Sequence, residues 1–419
     1  MSAAPTAEAI TRVWREESAR VVGALTRVTR DLALAEEVAQ DALVAALEEW
    51  PRTGVPSRPG AWLMTTAKNR AFNALKRSQF VDAHHSAHPP SEQEKSVSPT
   101  DELDARLDED VSDDVLKLLF TACHPTLSRE VRVTLTLRLV AGLTTAEIAR
   151  AFLTTEPTIA QRVVRARRTL SDAGLPFEVP QGEALGARLS SVLEVVYLVF
   201  NEGYSASAGD DVLRPALVDE ALRLSSLLVA LAPDEPEVHG LFALLSLQAS
   251  RFATRVDANG EPVLLADQDR SKWDAAAIAR GLSALDRAGD AQGPYVLQAS
   301  IAACHARARD VASTDWTRIA QLYGALKALV PSSVIELNRA VAVSRASGAA
   351  AGLALLDALQ AGGELERYHF LPAARGELLE RLGRHDEARA AFELAASLAE
   401  NARQRERLTA RAAKLTRGA

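Results

Sequence analysis

The chain has 419 residues, with 48 Lys and Arg against 55 Asp and Glu and a formal net charge of −7. That length holds two or three domains with cores of their own, and the acidic balance excludes a protein that coats nucleic acid through bulk charge, so any such contact has to come from local basic faces. Two cysteines far apart, Cys123 and Cys304, give no disulfide framework, and the lack of a secretory leader or a membrane-length apolar run reads as a chain of the reducing cytoplasm with no membrane contact.

Abundant Ala, Leu, Arg and Glu, few aromatics and no alternating apolar–polar runs predict an all-α protein. A first helix is expected from Glu8 to Thr29, with Ile10, Val13, Trp14, Val21, Leu25 and Val28 on its apolar face. A second runs from Leu32 to Trp50. Its apolar stripe takes in Leu34, Val38, Ala42, Ala45 and Leu47, while Glu36, Glu37, Gln40 and Asp41 form an acidic polar cluster. A loop punctuated by Pro51, Gly54, Pro56 and Pro59 leads to a third helix, Gly60 to Arg77. Between Ala61 and Phe80 that stretch carries Lys68, Arg70, Lys76 and Arg77 and no acid.

From Val81 to Leu107 the chain turns polar, and from Ser91 to Asp114 it has ten acids against two bases, so a flexible acidic tether is expected there. His84, His85 and His88 have no acidic or Cys ligand at a motif spacing and read as a solvated loop. Cys123 and Cys304 each stand next to a histidine, but adjacent helical residues point about 100° apart, and both read as small buried apolar groups.

From Leu137 to Leu170 two helices follow each other across a tight turn. The first has Thr144 or Thr145 as its N-cap and Glu147 in its first turn, with Ile148, Ala149 and Phe152 inward. The second begins near Pro157 and turns Ile159, Val163, Ala166 and Leu170 inward. Its opposite face holds Thr158, Gln161, Arg162, Arg165 and Arg168, with four arginines and no acid between Thr158 and Leu170. A short helix buried on one side and arginine-rich on the other suits a major groove.

The order of A-E-E-V-A-Q-D at Ala35 to Asp41, a proline loop, W-L-x-x-x-A-K-N-R-A at Trp62 to Ala71, and then Glu147-Ile148-Ala149 and Thr158-Ile159-x-x-Arg162-x-x-Arg165-Ala166-Arg167 resembles bacterial sigma factors of the sigma-70 family, extracytoplasmic-function group, over residues 8 to 175. The resemblance implies sigma domain 2 over 8–80, a linker over 81–107 and sigma domain 4 over 108–175. It implies no domain three. It places Glu36, Glu37, Gln40 and Asp41 on the clamp helices of the RNA polymerase β′ subunit, and makes the core enzyme, β′ and β, a partner together with promoter DNA. It places Trp62, Lys68, Asn69, Arg70, Asn73, Lys76 and Arg77 at the −10 element, where cations meet phosphates and the asparagines reach base edges. Thr158, Gln161, Arg162, Arg165 and Arg168 fall at the −35 groove, mostly on phosphate. Ala160 stands where relatives often carry Lys or Arg, Leu153 where they often carry a turn glycine, and Asn73 where they often carry Asp.

Some 240 residues follow where such factors normally end. Gly376, Leu379, Gly383, Ala388, Phe392 and Ala395 match the spacing of a tetratricopeptide (TPR) repeat. Ala221, Leu228 and Pro233 fit the second helix of another, Asn338 to Leu359 a degenerate third, and Asn401 to Lys414 a cap. A TPR-like helical domain is therefore expected over 180–419, offering a concave surface to a protein or small-molecule signal. Two stretches differ from repeat filler: Tyr197 to Tyr204, with Asn201 and Glu202, and Asp267 to Asp274, with Asp269, Arg270 and Trp273. They line a ligand pocket or a contact with the sigma domains, or else form a helix-ending turn and a satisfied ion-pair network. Both resemble features of the subgroup of extracytoplasmic-function sigma factors with a TPR-like C-terminal extension, in which the extension is taken to stand in for a separate anti-sigma factor. No phosphate-binding glycine loop, G-x-S-x-G or H-E-x-x-H is present, so no enzyme, cofactor or metal is expected. The expected function is promoter recognition and transcription initiation as a polymerase subunit, the alternative a DNA-binding regulator that never joins the polymerase.

Overall fold

The computed structural model describes residues 3–85, 111–152, 154–180, 183–204, 214–257, 263–363, 365–399 and 402–416. Among them every regular element is a helix, apart from one isolated bridge residue at Val256. The chain divides into two compact units, Met1–Val199 and Phe200–Ala419.

The first unit opens with α1 (Ala3–Thr29), α2 (Leu32–Thr53) and α3 (Pro59–His85), packed on one another. Ile10, Trp14, Leu25, Ala39, Trp50 and Leu63 are almost wholly buried among them. Asp31 starts α2 as its N-cap, accepting hydrogen bonds from the Ala33 and Leu34 amides. The stripe that α2 turns inward is Ala35, Val38, Ala39, Ala42, Ala46 and Trp50, rotated from the expected one so that Leu47 is 47% exposed and Val44 50%. Small alanines there let α1 and α3 approach, which fixes the rotation more firmly than the larger Leu47 does. α3 runs on to His85 rather than ending at Arg77. The expected acidic linker lies outside the described residues from 86 to 110, as do His88 and the side chains of His84 and His85.

Next come α4 (Val111–Ala122), α5 (Arg129–Leu139), α6 (Thr145–Ala151) and α7 (Glu156–Asp172). Thr144 is the cap of α6: its Oγ1 accepts from the Glu147 amide at 3.2 Å while Glu147 Oε2 accepts from the Thr144 amide at 2.8 Å, a reciprocal capping box. Thr155 caps α7 and Pro157 sits in its first turn. Ile159, Val163, Ala166 and Leu170 are buried, as expected. Between α5 and α6, Gly142 has a φ of +66°, and a Cβ there would stand 2.6 Å from Ser18 Oγ, so only glycine lets this turn lie against α1.

α8 (Glu183–Tyr204) contains the boundary between the units. Its 21 residues from Ala184 to Tyr204 have mean hydropathy 1.3, long and apolar enough by length and composition to cross a membrane, where no run of that length was expected. Its first half is instead committed to α4 and α5. Arg188 Nη2 donates to Phe120 O at 2.7 Å, Ser191 Oγ donates to Cys123 O at 2.6 Å, and Glu194 pairs with Arg129 and Arg132. Val192, Val195, Val196 and Val199 are buried, so these turns are a core helix.

The second unit continues through α9 (Pro215–Leu231), α10 (Pro236–Ala249), α11 (Ala275–Ala288), α12 (Pro294–Arg307), α13 (Trp316–Leu329), α14 (Ser333–Ala346), α15 (Ala349–Gly362), α16 (Phe370–Arg381), α17 (His385–Leu398) and α18 (Ala402–Thr416). Most of these helices pack chiefly on their neighbours in sequence, while α12 packs mainly on α10. The residues picked out by spacing do the packing expected of them: Leu379, Ala388, Phe392 and Ala395 are buried, and Gly376 faces Phe392 so closely that a Cβ would stand 2.8 Å from the ring. Gly383 makes the turn between α16 and α17 with a φ of +72°.

Candidate nucleic-acid interface

α7 presents two faces. Opposite its buried stripe, Gln161, Arg165 and Arg168 are exposed, with Thr158 half-buried at the N-terminal end. Arg165 has no ion pair among the described residues, and Arg168 lies 3.6 Å from Asp172 as an exposed pair. Arg162 is less free, its guanidinium 3.3 Å from Glu130. The N-termini of the two helices are capped by side chains, α6 by Thr144 and α7 by Thr155. Burial alone would raise the Glu147 carboxyl, but the hydrogen bonds from Thr144 and the charge of Arg15 at 2.8 Å hold it below the usual carboxylate range. Val164, which the sequence did not single out, is 63% exposed in the middle of this polar face, three residues past Gln161.

On α3, Asn69, Asn73, Lys76 and Arg77 are exposed and follow one another at helical spacing. Lys68 and Arg70 are half-buried, and Arg70 reaches Asp41 of α2 at 3.2 Å. Trp62 is half-buried with its ring edge-on to the fully buried Trp50, centroids 5.3 Å apart, so it anchors α3 on α2.

The acidic cluster of α2 does not stay together. Glu37 and Asp41 are exposed and Gln40 half-buried, on one face with the exposed Val44 and Leu47. Glu36 departs from the expectation of an exposed acidic contact: it is 2% exposed, with Oε1 accepting from Arg138 Nε at 3.0 Å and Oε2 from Arg167 of α7. About 100° of helical rotation separates Glu36 from Glu37, and that turn carries it under the helix-turn-helix. Arg27 with the buried Asp114 at 2.8 Å, and Arg15 with Glu147, complete a set of ion pairs joining the first three helices to the next four. Cys123 is buried as expected; burial pushes its thiol up to about 12, partly opposed by the Thr136 hydroxyl.

In the second unit the ends of the two unusual stretches both reach the segment 251–255, Tyr204 through Arg251 and Arg255 and Gln268 through Thr254. Tyr204 is buried and stacked on Phe200, and Arg251 and Arg255 lie over its ring. Glu202 pairs with Arg214, and Asn201 is half-buried. Asp267 is exposed, Asp269 accepts from the Ser271 amide and hydroxyl, and Arg270 lies over the buried Trp273.

A family model for Sigma-70 region 2 matches residues 13–81, one for Sigma-70, region 4 matches 117–170, and one for a family of unknown function matches 188–289. An uncharacterized protein of Rhizobium meliloti (strain 1021) is 46% identical over 387 residues, 91% of this chain and 90% of its own length. The ECF RNA polymerase sigma factor SigL of Mycobacterium tuberculosis is 32% identical over 182 residues, 42% of this chain and 97% of that protein. No solved structure matches the chain.

Proposed function

Because the chain belongs to the sigma-70 family of RNA polymerase sigma factors, we propose that its residues divide the work of initiation as follows. The exposed face of α2, Glu37, Gln40 and Asp41 with Val44 and Leu47, docks on the β′ subunit of core polymerase. The exposed stripe of α3, Asn69, Asn73, Lys76 and Arg77, holds the separated −10 strands by phosphate contacts and base edges, with Lys68 and Arg70 beside it. Gln161, Arg165 and Arg168 of α7, flanked by Thr158 and Arg162, enter the −35 major groove. The protein does no covalent chemistry in this scheme; binding energy opens the DNA, in the cytoplasm. The helical pairs of the second unit form a TPR-like extension that regulates the factor through a protein or small-molecule signal, in the manner of the subgroup with such extensions.

The observation that carries this reading is α7, buried along Ile159, Val163, Ala166 and Leu170 and exposed along Gln161, Arg165 and Arg168. The test is run-off transcription on a promoter pool with purified core polymerase, alongside co-purification of the core with Glu37→Lys/Asp41→Lys. Asp41 loses only an exposed ion pair to Arg70, worth about 0–1 kcal/mol, so the fold should survive while both transcription and core binding are lost. Persistence of the core complex in the folded double variant would move the docking face elsewhere. Promoter binding without any core complex in the wild type would favour a regulator that is not a polymerase subunit.

A further inference from the structure

Half-buried arginines in the second unit divide cleanly. Among the described residues Arg214, Arg223, Arg339, Arg375, Arg389 and Arg411 each have a carboxylate within ion-pairing distance. Arg251, Arg255 and Arg270 are equally half-buried and have none. These three are clustered. The Arg255 guanidinium stands 3.6 Å from the centroid of the Tyr204 ring and that of Arg251 5.7 Å from the same ring. Arg270 lies 5.2 Å from the Trp273 ring, and both Arg251 and Arg270 act on His305 between them, which burial and their charges together push down to about 4. Arg270 spends its donors on the carbonyls of His305 and Ala308 and on Thr314, with Asp310 as a more distant counter-charge. Among the described residues the Arg251 side chain donates to Gln248 alone.

Around these cations, buried polar atoms have no hydrogen-bond partner among the described residues: Tyr204 Oη, Arg255 Nε, Trp273 Nε1 and His305 Nδ1. Tyr204 and Trp273 are 8% and 7% exposed. Partly desolvated cations held together with no anion, beside orphaned donors, are costly unless something of opposite charge completes the set. Stacking on Tyr204 occupies the face of the Arg255 guanidinium and leaves its edge, with the fork of N–H donors that matches carboxylate and phosphate. We propose that this cluster is a binding site for an oxyanion, a phosphate or a carboxylate, gripped by Arg251 and Arg255 against Tyr204. Arg270 adds charge and steadies Trp273. Tyr204, Arg251, Arg255, Arg270 and Trp273 all lie within the 188–289 segment shared with the family of unknown function, which gives that segment a chemical role. The site stands independently of the assignments on α2, α3 and α7.

Calorimetric titration of the full chain in Tris chloride with inorganic phosphate and, separately, with acetate tests it without polymerase or promoter. Saturable binding of at least one anion is expected, weakened tenfold or more in Arg251→Gln and in Arg255→Gln and unchanged in Arg375→Gln. Arg255→Lys, which keeps charge and loses the fork, should fall between. In case the glutamine variants do not fold, phenylglyoxal modification of the wild type read by mass spectrometry gives a second measure: phosphate or acetate should protect Arg251 and Arg255 and not Arg375. No saturable heat from either anion, equal affinity in the two folded glutamine variants and the wild type, or no protection would each overturn the proposal.

Discussion

Arg165 and Arg167 stand two residues apart on one helix and have opposite fates, one exposed and unpaired among the described residues, the other locked on Glu36. Removing Arg165 as Arg165→Ala should therefore leave stability almost untouched, weaken promoter binding and reduce the slope of log K against log salt by about 1, since one counterion-releasing contact is lost. Binding measured between low and moderate salt decides it; an unchanged slope moves Arg165 off the DNA. In the second unit His305 supplies a pH dependence of definite sign. Its folded value is depressed to about 4 by burial and by Arg251 and Arg270, while in the unfolded chain it titrates near its ordinary value of about 6.5. The unfolded state then binds the extra proton first as pH falls, so stability present above about 6.5 is lost as pH drops through 4, about 3 kcal/mol in all. His305→Gln should narrow the difference in melting temperature between pH 7 and pH 4.5; an identical difference would show that His305 is not held neutral by its surroundings.

At the scale of elements, capping and periodicity carried most of what could be read. Thr144 and Glu147 three residues apart announced the start of α6, and the inward residues of α7 repeat at 3–4 positions. The burial of Glu36 was not legible, because adjacency in sequence cannot say which of Glu36 and Glu37 a distant helix will cover. The partners, Arg138 and Arg167, lie more than 100 residues away. The limits of the sigma-like part were not legible either: an end at residue 175 was expected, yet the first half of α8 bonds to α4 and α5. A chain ending at Ala173 would strip Phe120 O and Cys123 O of the Arg188 and Ser191 donors and uncover the surface under Val192 and Val196. Two lost hydrogen bonds and that apolar area amount to several kcal/mol, about 1 for each bond and about 25 cal/mol per Å² uncovered. A chain ending at Val199 should therefore melt several degrees above one ending at Ala173, as circular dichroism would show; equal melting would mean that α8 contributes nothing to the first unit.

For the whole molecule, a net charge of −7 coexists with local basic faces such as those of α3 and α7, which is why composition could exclude bulk nucleic-acid binding without excluding a specific one. The helical architecture was readable throughout, since no segment has the alternation of a strand. The clustering of Arg251, Arg255 and Arg270 around Tyr204 and His305 was not, because it depends on how α8, α10 and α12 stack and on the 3₁₀ turn at Arg270–Lys272. The ion pair between Glu36 of α2 and Arg167 of α7 sets a geometric limit of its own. Elements named −10 and −35 lie roughly 25 base pairs apart, about 85 Å along a duplex at 3.4 Å per step. Helices joined by a direct ion pair cannot span that length, so on the proposed division of work a molecule reading both elements at once would have α2 and α7 parted, with Glu36 returned to water and Arg138 and Arg167 freed. On that proposal the arrangement seen here would be the compact one of two, and about 1.4 kcal/mol of closure would weaken promoter binding about tenfold.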